Sequence, residues 1–268
     1  MAGEATFFTR HPNANDERER SFAYYTSERD GEPAAHGGPS RAETGAPETM
    51  TNNSLDTPRV SALLTRLFAD AAHTDASIAA LPPDELAALR AMAKTDYRAM
   101  YNRARDMYLA IAPETGRLLY MLARASRARA VVEFGTSFGI STLHLAAALR
   151  DTGGGVVIGT EFEPAKAARA REHLAEAGLA DLVEIRDGDA LQSLARDLPE
   201  RVDLLFLDGA KILYPALLSL LEPRLASGAL VVADNAGDSP EYLARVRGSG
   251  AYLSLPFGDD VEVSQWLG

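Results

Sequence analysis

With 268 residues, 46% of them hydrophobic, the chain can bury one α/β core but hardly two. A formal net charge of -11 argues against nucleic-acid or anionic-membrane partners, because both select clustered Lys and Arg. The lack of cysteine excludes a disulfide framework, a thiolate zinc site and a cysteine nucleophile, and suits a reducing cytoplasm. No apolar stretch is long enough to span a bilayer, and the first residues lack a basic segment followed by an apolar signal core. The expectation is a single cytoplasmic catalytic unit acting on a small molecule.

Residues 1–56 are rich in Gly, Pro, Ser, Glu and Arg and carry no sustained helical or strand period, which predicts a disordered N-terminal extension. Phe22, Tyr24 and Tyr25 read as incidental aromatics in a polar tail, and Met50 is an alternative start. From Pro58 the pattern turns helical: Val60, Leu63, Leu64, Leu67 and Phe68 share a face, and Pro82 and Pro83 start another helix at Asp84. Residues 57–112 are therefore expected to form a helical cap, and residues 113–268 the catalytic domain. A helix is predicted from Pro113. Strands are expected at 130–134, 156–160, 182–186, 202–207 and 229–233, alternating with helices, so they should form a parallel sheet covered on both faces. Segments 251–255 and 261–266, joined by PFGDD, read as a terminal hairpin that brings the sheet to seven strands.

The first strand runs into VVEFGTSFGIST, where Gly135 and Gly139 permit close backbone approach and the amides of the next helix start can face an anion. Glu161, ending the second strand in TEFEP, is placed to accept hydrogen bonds from ribose hydroxyls. GTSFG lacks the third glycine of G-x-G-x-x-G, which a pyrophosphate site requires. A cofactor without phosphates fits better. S-adenosylmethionine is one, its carboxylate suited to the helix amides and Ser141.

A second constellation lies at the tips of the fourth and fifth strands, where an open parallel sheet binds its ligands. DLLFLDGAK places Asp208 and Lys211 there, and LVVADN places Asp234 and Asn235. Neighbouring strands are about 4.8 Å apart, so Asp208, Asp234 and Asn235 can converge on one hard cation such as Mg²⁺. Singly, each Asp reads as a helix cap or turn former, and Lys211 as a solvated lysine. Beside a divalent cation the Lys211 ammonium is disfavoured, and its pKa should fall toward that of a usable base. His144 and His173 fall on separate predicted helices, so no zinc cluster competes.

Residues 110–247 resemble the metal-dependent small-molecule O-methyltransferases, the group that includes catechol and caffeoyl-coenzyme A O-methyltransferases. The likeness runs in order through IAPETGRLLYMLAR, VVEFGTSFGISTLHLA, TEFEP, EHLAEAGLADLVEIRDGDA, DLLFLDGAK and LVVADN. It implies a Rossmann-like class I methyltransferase fold with strand order 3-2-1-4-5-7-6. It assigns Glu133, Gly135, Thr136, Ser137, Gly139, Ser141, Glu161, Asp189 and Asp208 to the S-adenosylmethionine site, with Asp189 near the adenine. It gives Asp208, Asp234 and Asn235 to the metal and proton abstraction to Lys211. Two departures stand out. The chain reads DGAK where many bacterial relatives read DADK, and the segment from Val246 to Val261 is short, with no clear match to the acidic residue that holds a second phenolic hydroxyl.

The resulting expectation is a Mg²⁺-assisted O-methyltransferase of a small hydroxylated, aromatic acceptor, with a homodimer as the expected assembly. The alternatives are a nitrogen or hydroxamate acceptor, a cofactor-binding protein without turnover, and a nucleotide-dependent oxidoreductase. Retention of the whole Asp208, Lys211, Asp234, Asn235 set speaks against a non-catalytic binder, and GTSFG against the oxidoreductase.

Overall fold

The computed structural model describes residues 53–268, so the expectations for residues 1–52, including the Met50 start, lie outside the described residues. Residues 53–56, assigned to the extension by their polarity, instead include a 3-10 turn, Ser54–Asp56. The reason is a distant partner: the Asp151 carboxylate accepts from Ser54 N at 3.0 Å and Ser54 Oγ at 2.6 Å.

Helix α1, Pro58–Ala79, starts on a proline whose missing N–H costs nothing in the first turn. Val60, Leu63, Leu64, Leu67 and Ala71 are buried along one face, at the predicted spacing. α2 (Pro83–Thr95) and α3 (Tyr97–Arg103) complete the cap; Asp96 caps α3 by accepting from Ala99 N. The connection to α4 (Pro113–Ala125) is pinned by Asp75 of α1, whose carboxylate accepts from Tyr108 N at 2.9 Å and Ala110 N at 3.2 Å.

Seven strands follow: β1 (Ala130–Phe134), β2 (Val156–Glu161), β3 (Val183–Asp187), β4 (Val202–Leu207), β5 (Leu225–Ala233), β6 (Tyr252–Phe257) and β7 (Val261–Trp266). Their order is β3-β2-β1-β4-β5-β7-β6, with β1 to β5 parallel and β7 antiparallel to both β5 and β6. This is the expected Rossmann-like methyltransferase sheet. β5 starts earlier than predicted because an irregularity in its register with β4 is absorbed around Gly228, which has φ +82°. The intervening helices are α5 (Ile140–Asp151), α6 (Pro164–Ala177), α7 (Ala190–Ser193), α8 (Tyr214–Leu221) and α9 (Pro240–Gly248).

Strand alternation splits the core in two. Leu204 and Phe206 of β4 pack with α1, α4, α5 and α6, while Leu205 and Leu207 pack with α7, α8 and α9. Among the described residues no helix is long and apolar enough to cross a membrane.

Tyr214, at the start of α8, ties the strand tips together. Its hydroxyl, buried with the whole side chain, lies 2.8 Å from the Leu207 carbonyl and 2.9 Å from the Asp234 carbonyl. One proton serves two acceptors, of which the Leu207 carbonyl also accepts from Asp234 N at 2.9 Å. Tyr214→Phe should therefore lower stability by about 1 to 3 kcal/mol in urea unfolding. An unchanged unfolding midpoint would show that the two carbonyls need no such donor.

Candidate active site

The carboxyl ends of β1, β2, β4 and β5 open into a cavity of about 510 Å³, within the range of small-molecule sites. Its floor contains Gly135, Ser137, Glu161, Asp208 and Asn235, and its roof comes from Tyr97, Met100 and Tyr101 of the cap. A small chamber of about 10 Å³ continues beneath Leu109, between Ile111, Thr136 and Ser141.

Gly135 lines the cavity for a steric reason. With φ +99°, a Cβ there would lie 2.6 Å from the Asp208 carbonyl oxygen, so only glycine lets the turn pass this close to the tip of β4. The following turn is organised from below by Glu133. This side chain was expected in the cofactor site, but it points away from the cavity and into the core, with no exposure to solvent. Its carboxylate accepts from Thr136 Oγ1 at 2.9 Å, Ser141 Oγ at 2.7 Å and Thr142 Oγ1 at 2.5 Å. Gly159 on β2 leaves the space this cluster occupies, because a Cβ there would collide with the Thr136 hydroxyl. Burial drives the Glu133 pKa up to about 7 against the three hydroxyls, which favour its charge.

Thr136 and Ser141 therefore hold the turn through their side chains, though both border the small chamber. Gly139 lies outside the cavity, at the N-terminal cap of α5 and against Ala170 of α6. Ser137 faces the cavity while its hydroxyl donates to the Tyr108 carbonyl at 2.7 Å, joining the turn to the cap connection.

Glu161 reaches the cavity as expected. Its two oxygens accept from Ser137 N at 2.7 Å and Glu163 N at 2.8 Å, leaving further lone pairs for a ligand. Burial raises its pKa, opposed by those amides and by Lys166. Asp189 also lines the cavity, at the cap of α7, where it accepts from Leu191 N at 2.9 Å. Its other oxygen pairs with Arg98 of α3 at 2.9 Å, and that guanidinium lies 5.8 Å from the ring centres of both Tyr97 and Phe162.

At the other end of the cavity Asp208 Oδ1 accepts from Lys211 Nζ at 2.8 Å. Asp208 and Asp234 are close enough for each carboxyl to act on the other's charge. Burial, then the Asp208 charge, pushes Asp234 up to about 7, and burial also raises Asp208. Lys211 departs from expectation. Burial disfavours its ammonium, but Asp208, Tyr214, Tyr101 and Asp234 outweigh that and hold its pKa well above the usual range. The expected lowering presupposes a cation that competes for Asp208, and only the carboxylate is at hand.

Asn235 stands beside this pair in the left-handed region, with φ +47°. Two carboxylates and an amide form an all-oxygen donor set that suits a hard cation such as Mg²⁺. Among the described residues no group of three His, Cys, Asp or Glu side chains is arranged to hold a metal. His144 and His173 are buried on α5 and α6, their Nδ1 atoms against the Ile140 and Phe138 carbonyls. The hairpin turn after β6 packs against the loop after β5, where Ala236 N donates to the Asp260 carbonyl at 2.9 Å. Besides Glu161, Asp189 and Asp208, the acidic residues lining the cavity are Asp238 and Glu241, both ahead of the short Val246–Val261 segment; Asp234 is buried and does not line it.

The cap side of the site was not read from the sequence. Tyr97 and Tyr101 share the exposed-looking YRAMYNR stretch, and Tyr101 lies close enough to Lys211, Asp208 and Glu161 to respond to their charges, with burial raising its pKa to about 12. Only the spacing of two tyrosines four residues apart hinted at a shared face.

Residues 132–236 match the family model of a methyltransferase domain. The catechol O-methyltransferase of Mycobacterium tuberculosis is 34% identical over 160 residues, covering 59% of this chain and 67% of that protein. The catechol O-methyltransferase of Niastella koreensis is 33% identical over 130 residues, 47% of this chain, and the match spans 58% of the relative's length. Among solved structures, the O-methyltransferase TomG from Streptomyces achromogenes, involved in tomaymycin synthesis and crystallised with SAM, superposes with a TM-score of 0.55. It is 26% identical, over 67% of this chain and 90% of that one.

The Glu133 cluster makes a prediction for pH. Its pKa is higher in the folded than in the unfolded chain, so the stability present below about 4.5 is lost as pH rises toward about 7. That interval corresponds to on the order of 3 kcal/mol. Glu133→Gln should flatten this fall in denaturant titrations between pH 5 and pH 8. A variant profile parallel to wild type would exclude a buried acid that ionises late.

Proposed function

Because this chain belongs to the class I O-methyltransferase family, we propose that it transfers the methyl group of S-adenosylmethionine to a hydroxyl of a small aromatic acceptor, with divalent-metal assistance. One observation carries the reading: a single cavity holds Glu161 and Gly135 at one end and Asp208, Lys211 and Asn235 at the other. Gly135 brings the turn to the cavity floor where the amino acid end of the cofactor would lie, and Glu161 has lone pairs free for its ribose. Tyr97, Tyr101 and Met100 form an apolar and aromatic roof over the acceptor end, which favours a flat ring.

S-adenosylmethionine supplies a methyl carbon on a sulfonium, which the acceptor oxygen takes as the carbon–sulfur bond breaks. Asp208, Asp234 and Asn235 would hold a divalent cation, whose positive charge would acidify the acceptor hydroxyl. Lys211, beside Asp208, would take the acceptor proton on Nζ as a neutral amine, after its own ammonium has released a proton to solvent. The cap excludes water from the transfer and holds the ring in line with the methyl. The cytoplasm is the proposed location, in keeping with a chain that has no cysteine.

An acceptor panel assayed with S-adenosylmethionine and Mg²⁺ tests the whole reading. Turnover of phenolic acceptors should disappear with chelator and in Asp234→Ala, while S-adenosylhomocysteine binding by calorimetry persists. Full turnover in both cases would leave the carboxylate pair a structural role.

Lys211→Met should reduce kcat by about 10² to 10⁴ for weakly acidic acceptors. The loss should shrink for acceptors that arrive already ionised. Equal losses across acceptors of widely different acidity would show that Lys211 positions a substrate instead of taking a proton.

A further inference from the structure

Lys166 lies on α6, in a stretch, EPAKAAR, that reads as a solvated helix face, yet it is only 3% exposed. Its ammonium makes no hydrogen bond among the described residues. It lies over the Phe138 ring, whose centre is 5.5 Å from Nζ. Glu161, Asp75, Glu163 and Asp106 act on it by charge alone, and burial, the largest effect, lowers its pKa. A lysine so deeply placed is strongly favoured to find acceptors for its three protons. No side chain or carbonyl among the described residues accepts from it, and the residue lines the large cavity together with Glu161.

A ribose hydroxyl both donates and accepts. Glu161 can take its proton but has nothing to offer its oxygen lone pairs. An ammonium on the same wall offers what the carboxylate lacks. Four carboxylates surround that one positive charge, so the local field disfavours a phosphate and admits a neutral diol. We propose that Lys166 is a second ribose-facing residue of the cofactor site, donating hydrogen bonds to the diol whose protons Glu161 accepts. The assignment rests on the reading of this cavity as an S-adenosylmethionine site, and it gives the otherwise unpartnered ammonium its acceptor.

The test is calorimetry on the full chain with S-adenosylhomocysteine and its 2′-deoxy and 3′-deoxy analogues, using wild type, Lys166→Met and Lys166→Arg. Methionine keeps the buried stem without the charge. Lys166→Met should weaken S-adenosylhomocysteine on the order of 10- to 100-fold, as expected for a lost hydrogen bond to a charged group. Arginine should restore part of that loss. Removing the contacted hydroxyl should cost wild type much more than Lys166→Met, and the unliganded melting temperature of Lys166→Met should be unchanged or higher. Undiminished affinity in Lys166→Met overturns the proposal, as does an equal loss for the parent ligand and both deoxy analogues, which would make the lysine structural. If folded wild-type protein binds no S-adenosylhomocysteine at all, the cofactor reading itself fails and takes this assignment with it.

Discussion

The site depends first on a carboxylate that never reaches it. Glu133 sits under the turn between β1 and α5, and three hydroxyls from that turn and helix converge on its two oxygens. The backbone above is thereby held against the tip of β4, where Gly135 passes the Asp208 carbonyl too closely for any side chain. A buried polar cluster of this kind tolerates little slack, since each group that loses its partner pays its full desolvation cost. The glycine turn is thus a rigid shelf set by a charged residue below it.

Rigidity on the sheet side contrasts with construction on the cap side. α1 is anchored through a continuous apolar face, and its Asp75 pins the backbone that closes the small chamber. α2 and α3 bury little of their own, and α3 reaches the cavity edge through two tyrosines and the Arg98 pair with Asp189. That pair is half exposed, and exposed ion pairs contribute little to stability. The roof is therefore the part of the site held by the weakest forces, as suits a surface that an acceptor must enter beneath.

Charge at the far end of the cavity is finely balanced. Asp208 accepts from Lys211 on one side and feels Asp234 on the other, and burial raises both acids. Without a cation this balance keeps Lys211 charged, the opposite of what proton abstraction needs.

Much of the architecture was legible in the chain alone. Strand and helix periods and the prolines that open helices determined the parallel strands and the edge where chemistry can occur, because those features depend on local backbone preference and on which face must be buried, while the strand order came from the resemblance carried by the six ordered blocks from IAPETG to LVVADN. The same logic brought Gly135, Glu161, Asp208, Lys211 and Asn235 to one cavity. Direction of side chains was a different matter. Glu133 and Glu161 both lie near strand ends, yet one is buried under the turn and the other lines the cavity: Glu133 pairs in register with Gly159, so Glu161 stands two residues further toward the carboxyl edge. Tyr101, Arg98 and Lys166 carried no distinguishing sign in the sequence, since a cap helix and a helix face look solvated until the sheet is placed beside them. Their roles arise from contacts between residues far apart in the chain, which no local period encodes.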